Sequence, residues 1–411
     1  MIQKFLSVKI SKKAVPRELP KDQLVEEENA PCYDPLQYYP VEAGQVLGNR
    51  YVVILKLGHG ASSTVWLARD RKKYQVLTKR ARLPWKKDQY VTVKVTNTGP
   101  VNIASAEQEK ISLQFLAEAD PTHNGYRYIT KLLDCFKIQG PGGRHLCLVF
   151  EPMREPLWLF QQNWPGNKFP VPIFKRIVRV LLEGVDYIHT KDIKPDNILV
   201  GFENDRVLLD HIEKALKNPS PRKHTSYRTV YQSEGNFGPL QGLPKQLQIA
   251  DFGLCFWADN VRPGQSLGQA NRFKAPEAIL RAPWSYSVDI WNLGVTLWNM
   301  LENRMLFWAR DPVTGRYSEL VHLAEMIAVL GPPPHALLAQ CERASKYFDE
   351  SGQFLAPHLI SSNLTLESTV VSMEDEERRE FVRFARRMLV WMPEQRATAK
   401  ELLQDPFLRG A

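Results

Sequence analysis

Asp192-Ile193-Lys194-Pro195-Asp196-Asn197 gathers groups that can act on one reacting centre. The Asp192 carboxylate can accept the proton of an attacking hydroxyl and orient its oxygen. The Lys194 ammonium, two residues on, can neutralise an anionic group in transfer. The Asn197 amide oxygen and the Asp251 carboxylate, in the triplet Asp251-Phe252-Gly253, are hard donors suited to Mg2+. Chemistry assembled from such parts works by positioning and charge stabilisation, which is what phosphoryl transfer requires.

Further residues fit the same chemistry. Gly58-His59-Gly60-Ala61-Ser62-Ser63-Thr64-Val65 lies between two segments of strand pattern. Glycines let a backbone approach phosphates closely, although taken alone the stretch reads equally well as a plain hairpin turn. Lys94 ends the run Val91-Thr92-Val93-Lys94 on a third strand. A phosphate-holding lysine needs an anionic partner to orient it. Glu109 on the following helix is the preferred partner, and Glu107 is a rival separated from it by helix register alone. Downstream, Ala275-Pro276-Glu277 resembles the Ala-Pro-Glu of protein kinases, which implies that Arg396 pairs with Glu277 in a buried ion pair, and Asp289-Ile290-Trp291-Asn292-Leu293-Gly294 resembles the helix that anchors their catalytic loop.

The elements that carry these residues change character along the chain. Residues 1–43 lack steady periodicity, contain Glu26-Glu27-Glu28 and read as an extension over the surface of the fold. Strand patterns follow at 51–57, 64–68, 90–95, 132–138 and 146–151, with a helix at 103–119 stopped by Asp120-Pro121. Beyond Met153 the pattern is helical, at 173–189, 287–301, 320–330 and 376–391. Residues 201–246 are polar and rich in Ser, Pro, Arg and Lys, and read as a partly ordered inserted loop. The expected organisation is an N-terminal extension over 1–43, a small lobe over 44–153 with five strands and one helix, and a larger helical lobe over 154–408 that carries the spacer 201–246. That is a bilobal α+β architecture.

Composition narrows the alternatives. The 411 residues are 44% hydrophobic and 24% charged, ordinary for a globular chain with its own core. Five scattered cysteines without a Cys-x-x-Cys pair argue against a disulfide framework or a zinc site. No apolar run approaches the ~18 residues of a membrane span. The net charge of +9 has no basic stripe interleaved with aromatics, so it reads as basic loops and not as a nucleic-acid surface. The first seventeen residues, with Lys4, Lys9, Lys12, Lys13 and Arg17, read as a basic tail more readily than as a mitochondrial presequence.

With these motifs in hand the chain resembles eukaryotic protein kinases over about 45–408. More closely it resembles the SR-protein kinase (SRPK-like) branch of the CMGC group, of fungal type. The likeness rests on Tyr39-Pro40-Val41 before Gly44, on Lys56-Leu57-Gly58, and on Ser63-Thr64-Val65-Trp66-Leu67. It also rests on Leu132-Leu133-Asp134-Cys135-Phe136, Leu148-Val149-Phe150-Glu151, the 192–197 stretch and Leu330-Gly331-Pro332-Pro333-Pro334. The resemblance implies a serine/threonine protein kinase using ATP and Mg2+. Asp192 and Lys194 are then catalytic, and Asn197 and Asp251 hold metal. Gly58, His59, Gly60, Ala61, Ser62, Ser63 and Val65 cover the nucleotide. Lys94 with Glu109 holds its α- and β-phosphates, Phe150 is the gatekeeper, and Glu151 to Met153 form the adenine hinge. It also implies Arg-Ser-rich splicing factors as substrates, a monomer without membrane or direct nucleic-acid binding, and a place in cytoplasm and nucleus.

Departures from the family pattern leave a second reading open. Tyr187-Ile188-His189-Thr190-Lys191 meets Asp192 directly, where the family carries about six further residues, so either the end of the preceding helix melts or Asp192 is displaced. Residues Tyr74 to Lys87 look inserted, and Lys274 stands where the group has arginine. The alternative is a pseudokinase scaffold with the same fold. The acids Asp311, Glu319 and Glu325 are candidates for a docking groove for a basic substrate.

Overall fold

The computed structural model describes residues 15–30, 33–60, 62–71, 89–188, 197–244, 246–253 and 271–409. Ala61, Asp192, Lys194 and the segment 74–87 lie outside the described residues. The chain forms two compact units, one of residues 1–110, 131–155 and 201–245, the other of 111–130, 156–200 and 246–411.

The first unit is built on a six-stranded sheet in the order β1-β2-β3-β4-β6-β5. Its strands are β1 (Val46–Leu47), β2 (Tyr51–Gly60), β3 (Ser63–Asp70), β4 (Tyr90–Thr96), β5 (Leu132–Gly140) and β6 (Gly143–Phe150). Every pairing is antiparallel. The five expected strands are present, and β1 adds a two-residue edge. Alternation sets the faces of β4. Val91, Val93 and Val95 are buried in an apolar cluster with Tyr51, Val53, Trp66, Cys147 and Val149, so Thr92 and Lys94 point the other way.

Residues 201–245 correct the sequence expectation. They belong to the first unit, not to the helical one, and they are folded. Helix α3 (Asp205–Lys217) is capped by Asn204, whose side chain accepts from the Arg206 N–H. In this count α1 is Pro100–Ala119 and α2 is Val171–Ile188. The apolar stripe of α3, Leu208, Ile212 and Ala215, packs on Leu55 and Leu67 of the sheet. The hairpin of β8 (Arg222–His224) and β9 (Thr229–Tyr231) supplies Tyr231 to the cluster on the opposite face. The N-terminal segment also departs from a surface extension: Glu27 is completely buried, as is Val41.

The second unit is mainly helical. Helix α2 buries Phe174, Ile177, Val178, Leu181, Leu182, Val185 and Ile188, one stripe at helical spacing. Helix α4 (Ser287–Glu302) is buried almost all round. Helices α5 (Glu319–Leu330) and α6 (Asp375–Arg386) follow. α6 stops five residues before the expected end at Trp391, because the chain turns there and Arg387 O accepts from Ala397 N. A two-stranded ribbon joins β7 (Ile198–Val200) to β10 (Leu247–Ile249) in antiparallel register. Among the described residues no helix is long and apolar enough to cross a membrane.

Two buried groups in this unit carry testable consequences. Glu277 and Arg396 form a two-pronged pair at 2.6 and 2.7 Å with both side chains fully buried, and Arg396 lies over the Trp291 ring. Removing one partner leaves a buried charge, so Glu277→Gln is expected to cost about 3–5 kcal/mol in urea unfolding, while Glu277→Leu with Arg396→Met costs less than either single change. His322 on α5 is fully buried, and burial pushes its pKa down to about 3. The fold then holds His322 neutral while the unfolded chain takes up a proton below pH 6.5, so stability falls as pH drops from 6.5 toward 3. Between pH 7 and 5 this group accounts for roughly 2 kcal/mol of that loss, and the urea midpoint of His322→Asn is expected to fall correspondingly less over that range.

Candidate active site

In the first unit, the sheet and α1 bring a cation and an anion together. Lys94 pairs across the sheet with Val65 on β3 and Leu148 on β6, which places the three in one row. Phe150, two residues beyond Leu148, shares that face and is 8% exposed. The Lys94 ammonium reaches Glu109 on α1 at 2.7 Å, with the Glu109 side chain 4% exposed. Glu107, the rival partner, turns outward to Lys137 at 2.6 Å and Lys110 at 3.6 Å. The hydrogen bond from Lys137 holds the Glu107 carboxyl below its ordinary range. Helix register therefore separates the two glutamates cleanly.

The glycine-rich stretch is a tighter hairpin than the sequence suggests. β2 runs through Gly60, which pairs with Ser63, and the register shifts between Lys56 and Gly58. A Cβ built on Gly58 meets nothing within 4 Å, and on Gly60 it meets only the Ser63 hydroxyl at 3.9 Å. Open space over these glycines fits a backbone that a phosphate chain can approach. Ser62 closes the turn by accepting from Asn97 N at 2.8 Å, and Ser63 is buried. Past β6, Glu151 is exposed and Met153 is buried.

In the second unit, the ribbon brings the two candidate metal ligands to one end. Ile198 pairs with Ile249, and one step beyond it Ala250 N donates to Asn197 O at 2.8 Å. Asn197 thus stands opposite Ala250, with Asp251 the next residue. Asn197 is buried, Asp251 is exposed and Phe252 is buried behind it. Asp251 has φ 65°, a left-handed conformation that costs energy for a residue with a Cβ and that gathers at functional positions. An amide and a carboxylate oxygen at one ribbon end suit a hard divalent cation. Helix α2 stays intact as far as Ile188, and Tyr187 donates its hydroxyl proton to Leu116 O. The helical turns persist through Ile188, and residues 189–196 lie outside the described residues.

Three findings lay outside the sequence reading. Arg154, directly after Met153, is buried against Glu155, Glu203 and the Gly238 carbonyl. Burial raises the Glu155 carboxyl; for Glu203 burial also raises, but backbone N–H donors and Arg154 outweigh it and lower the net. Glu26 and Glu27 meet Lys56, and the sequence signal for that contact was a lone lysine inside the apolar run Tyr51–Leu57. The acids considered for a docking groove are each engaged locally. Asp311 accepts from Val313 N and Thr314 N, Glu319 binds Arg343 at 2.8 Å, and Glu325 accepts from Ala309 N.

The protein kinase domain family matches residues 51–408. A serine/threonine protein kinase of Aspergillus fumigatus is 33% identical over 93% of this chain and 91% of its own length. A serine/threonine-protein kinase named SRPK from Physarum polycephalum is 28% identical over 93% and 91%, and the protein kinase dsk1 of Schizosaccharomyces pombe 26% over 93% and 85%. A solved kinase domain at 22% identity has the same fold, with a TM-score of 0.65 over 92% of this chain and all of that one. The chain belongs to the protein kinase family, ATP-dependent enzymes acting on protein serine and threonine, and it is similar to SRPK-like kinases within it.

The pairing of Lys94 predicts unequal effects for two neighbouring glutamates. Glu109→Gln is expected to lower kcat/KM for ATP by roughly 10- to 100-fold, and Lys94→Met by about 10²–10³-fold. Glu107→Gln is expected to change it less than about twofold, as for other exposed ion pairs. Steady-state kinetics at varied ATP measures all three.

Proposed function

We propose that this chain transfers the γ-phosphoryl group of Mg2+-bound ATP to serine or threonine of basic, Arg-Ser-rich proteins. The observation that carries the phosphoryl-transfer part is the Lys94–Glu109 pair at 2.7 Å on the sheet face opposite the apolar core. Lys94 offers fixed positive charge to the α- and β-phosphates, and Glu109 holds it in place. Gly58 and Gly60 leave room for close approach of phosphate oxygens to backbone N–H groups. Asn197 and Asp251 offer the oxygens for the metal, which when bound neutralises phosphate charge. Asp192 accepts the hydroxyl proton of the substrate side chain, and Lys194 offsets charge on the group in transfer.

The Arg-Ser preference is supported by the relatives that carry the SRPK name. The net charge of +9 works against encounter with a basic protein, and Asp311, Glu319 and Glu325 are already engaged. We therefore propose recognition of arginines close to the target serine in place of a long acidic groove. A second reading, a pseudokinase scaffold, is favoured by one observation. With α2 helical through Ile188 and anchored through Tyr187, the sequence leaves only residues 189–191 between the helix and Asp192.

Initial rates on an Arg-Ser peptide and on its Gln-Ser counterpart, with Mg2+ or with excess chelator, test the proposal. Faster transfer to the Arg-Ser peptide, lost with chelator, is expected. Equal rates on both peptides would overturn the substrate class, and no transfer to either peptide would favour the scaffold.

A further inference from the structure

The run Glu26-Glu27-Glu28 is absorbed by no step of phosphoryl transfer, yet each of its carboxylates is bound. It forms one tight turn, Glu26–Asn29, with Glu26 at φ 53°. Glu27 accepts from the Lys56 ammonium and the Arg228 guanidinium, both at 2.5 Å, and all three side chains are buried. Glu28 binds Lys223 at 2.6 Å and accepts from Val25 N at 2.7 Å. Glu26 binds Lys56 at 2.9 Å, accepts from Ser233 N at 2.6 Å, and meets His59 Nδ1 at 3.0 Å. Burial alone would raise the Glu26 carboxyl, but the His59 hydrogen bond, the Lys56 charge and Ser233 outweigh it and bring it down to about 2.

The geometry also says what this cluster is not. The Glu26, Glu27 and His59 ligand atoms converge as they would around a metal ion. The Lys56 ammonium already lies 2.5 and 2.9 Å from the two carboxylates, so the cation of the cluster is a side chain of the protein. Lys56 further donates to Tyr231 O, and Lys56 O accepts from Glu234 N. Three distant stretches, 18–29, 56–59 and 222–234, are thereby fastened at one point.

One arm of the cluster leaves the interior. His59 lies between Gly58 and Gly60, whose missing side chains leave open space, and its own side chain is 36% exposed. Glu26 is the group that ties it down. We infer that Glu26 is a positioning residue for the glycine-rich hairpin: through His59 it holds the backbone of 58–60 in one conformation and lowers the ordering cost of ATP binding. The N-terminal turn and the 222–234 hairpin act as a built-in clamp on the nucleotide loop. Glu27 anchors the clamp on Lys56 and Glu26 transmits it, while Glu28 braces the turn itself through Lys223 and Val25 N. The inference rests on the phosphate-covering role proposed for residues 58–60.

Two readouts separate this inference from the kinase reading. By kinetics, His59→Ala and Glu26→Ala are expected to raise KM for ATP about five- to tenfold with kcat changed less than about twofold, the scale of one lost hydrogen bond at a partly exposed side chain. His59→Gln, which keeps an N–H for Glu26, is expected to restore most of the affinity. Glu28→Gln is expected to lower the unfolding temperature without raising KM. By hydrogen exchange in the absence of nucleotide, amides 57–60 are expected to exchange faster in Glu26→Ala and His59→Ala than in the parent chain. An inactive parent chain whose variants still show that acceleration would refute the kinase reading and keep the clamp. Unchanged exchange at 57–60, or a KM that follows unfolding temperature across all four variants, would overturn the clamp.

Discussion

A lysine ammonium without water must have carboxylates around it, and Lys56 sets that condition for the first unit. Its side chain is fully buried on β2. The charge is met by Glu26 and Glu27, which arrive from the N-terminal segment, and Glu27 in turn brings Arg228 from the β8–β9 hairpin. Two cations and two carboxylates balance inside one apolar setting. Segments that read as an appendage and an inserted loop are thereby part of the core. Neither could be removed without leaving unpaired charge against the sheet.

The second unit solves a related problem around Glu277 and Arg396. The guanidinium is held by both carboxylate oxygens, by the Ser287 and Val390 carbonyls and by the Trp291 face. That fixes the short helix Pro276–Leu280 against the start of α4. The ribbon of β7 and β10 does comparable work for the chemistry. Its register is set by three paired residues, Ile198–Val200 with Leu247–Ile249, and that register alone puts Asn197 and Asp251 at the same end. In the first unit, strand alternation turns Lys94 away from the valine face toward Glu109. Distances between functional groups are thus set by pairing register and helix phase, which are cheap to specify and hard to shift.

Much of this was legible in the residues. Alternation in Tyr90–Val95 predicted β4, while the choice of Lys94, and of Glu109 as its preferred partner, came from the resemblance to protein kinases. Helix register left Glu107 open, because periodicity does not reveal that Lys137 draws it outward. The region 201–246 was misread because composition outweighed pattern. Asn204-Asp205 is a helix cap, and Leu208, Ile212 and Ala215 keep helical spacing, but surrounding Ser, Pro, Arg and Lys masked the signal. Glu26-Glu27-Glu28 was illegible for a different reason. A charge run is normally solvated, and its burial depends on Lys56 and Arg228, partners 29 to 201 residues away in sequence. Long-range charge matching leaves no local trace.

The account turns on whether Asp192 serves as the proton acceptor at the end of a shortened link. Transfer of labelled phosphate from γ-labelled ATP to peptide serine, by the full chain beside Asp192→Ala, measures this directly. The account predicts transfer by the parent chain and a fall of at least about 10²-fold in the variant. Equal rates in the two proteins, or none in either, would contradict it.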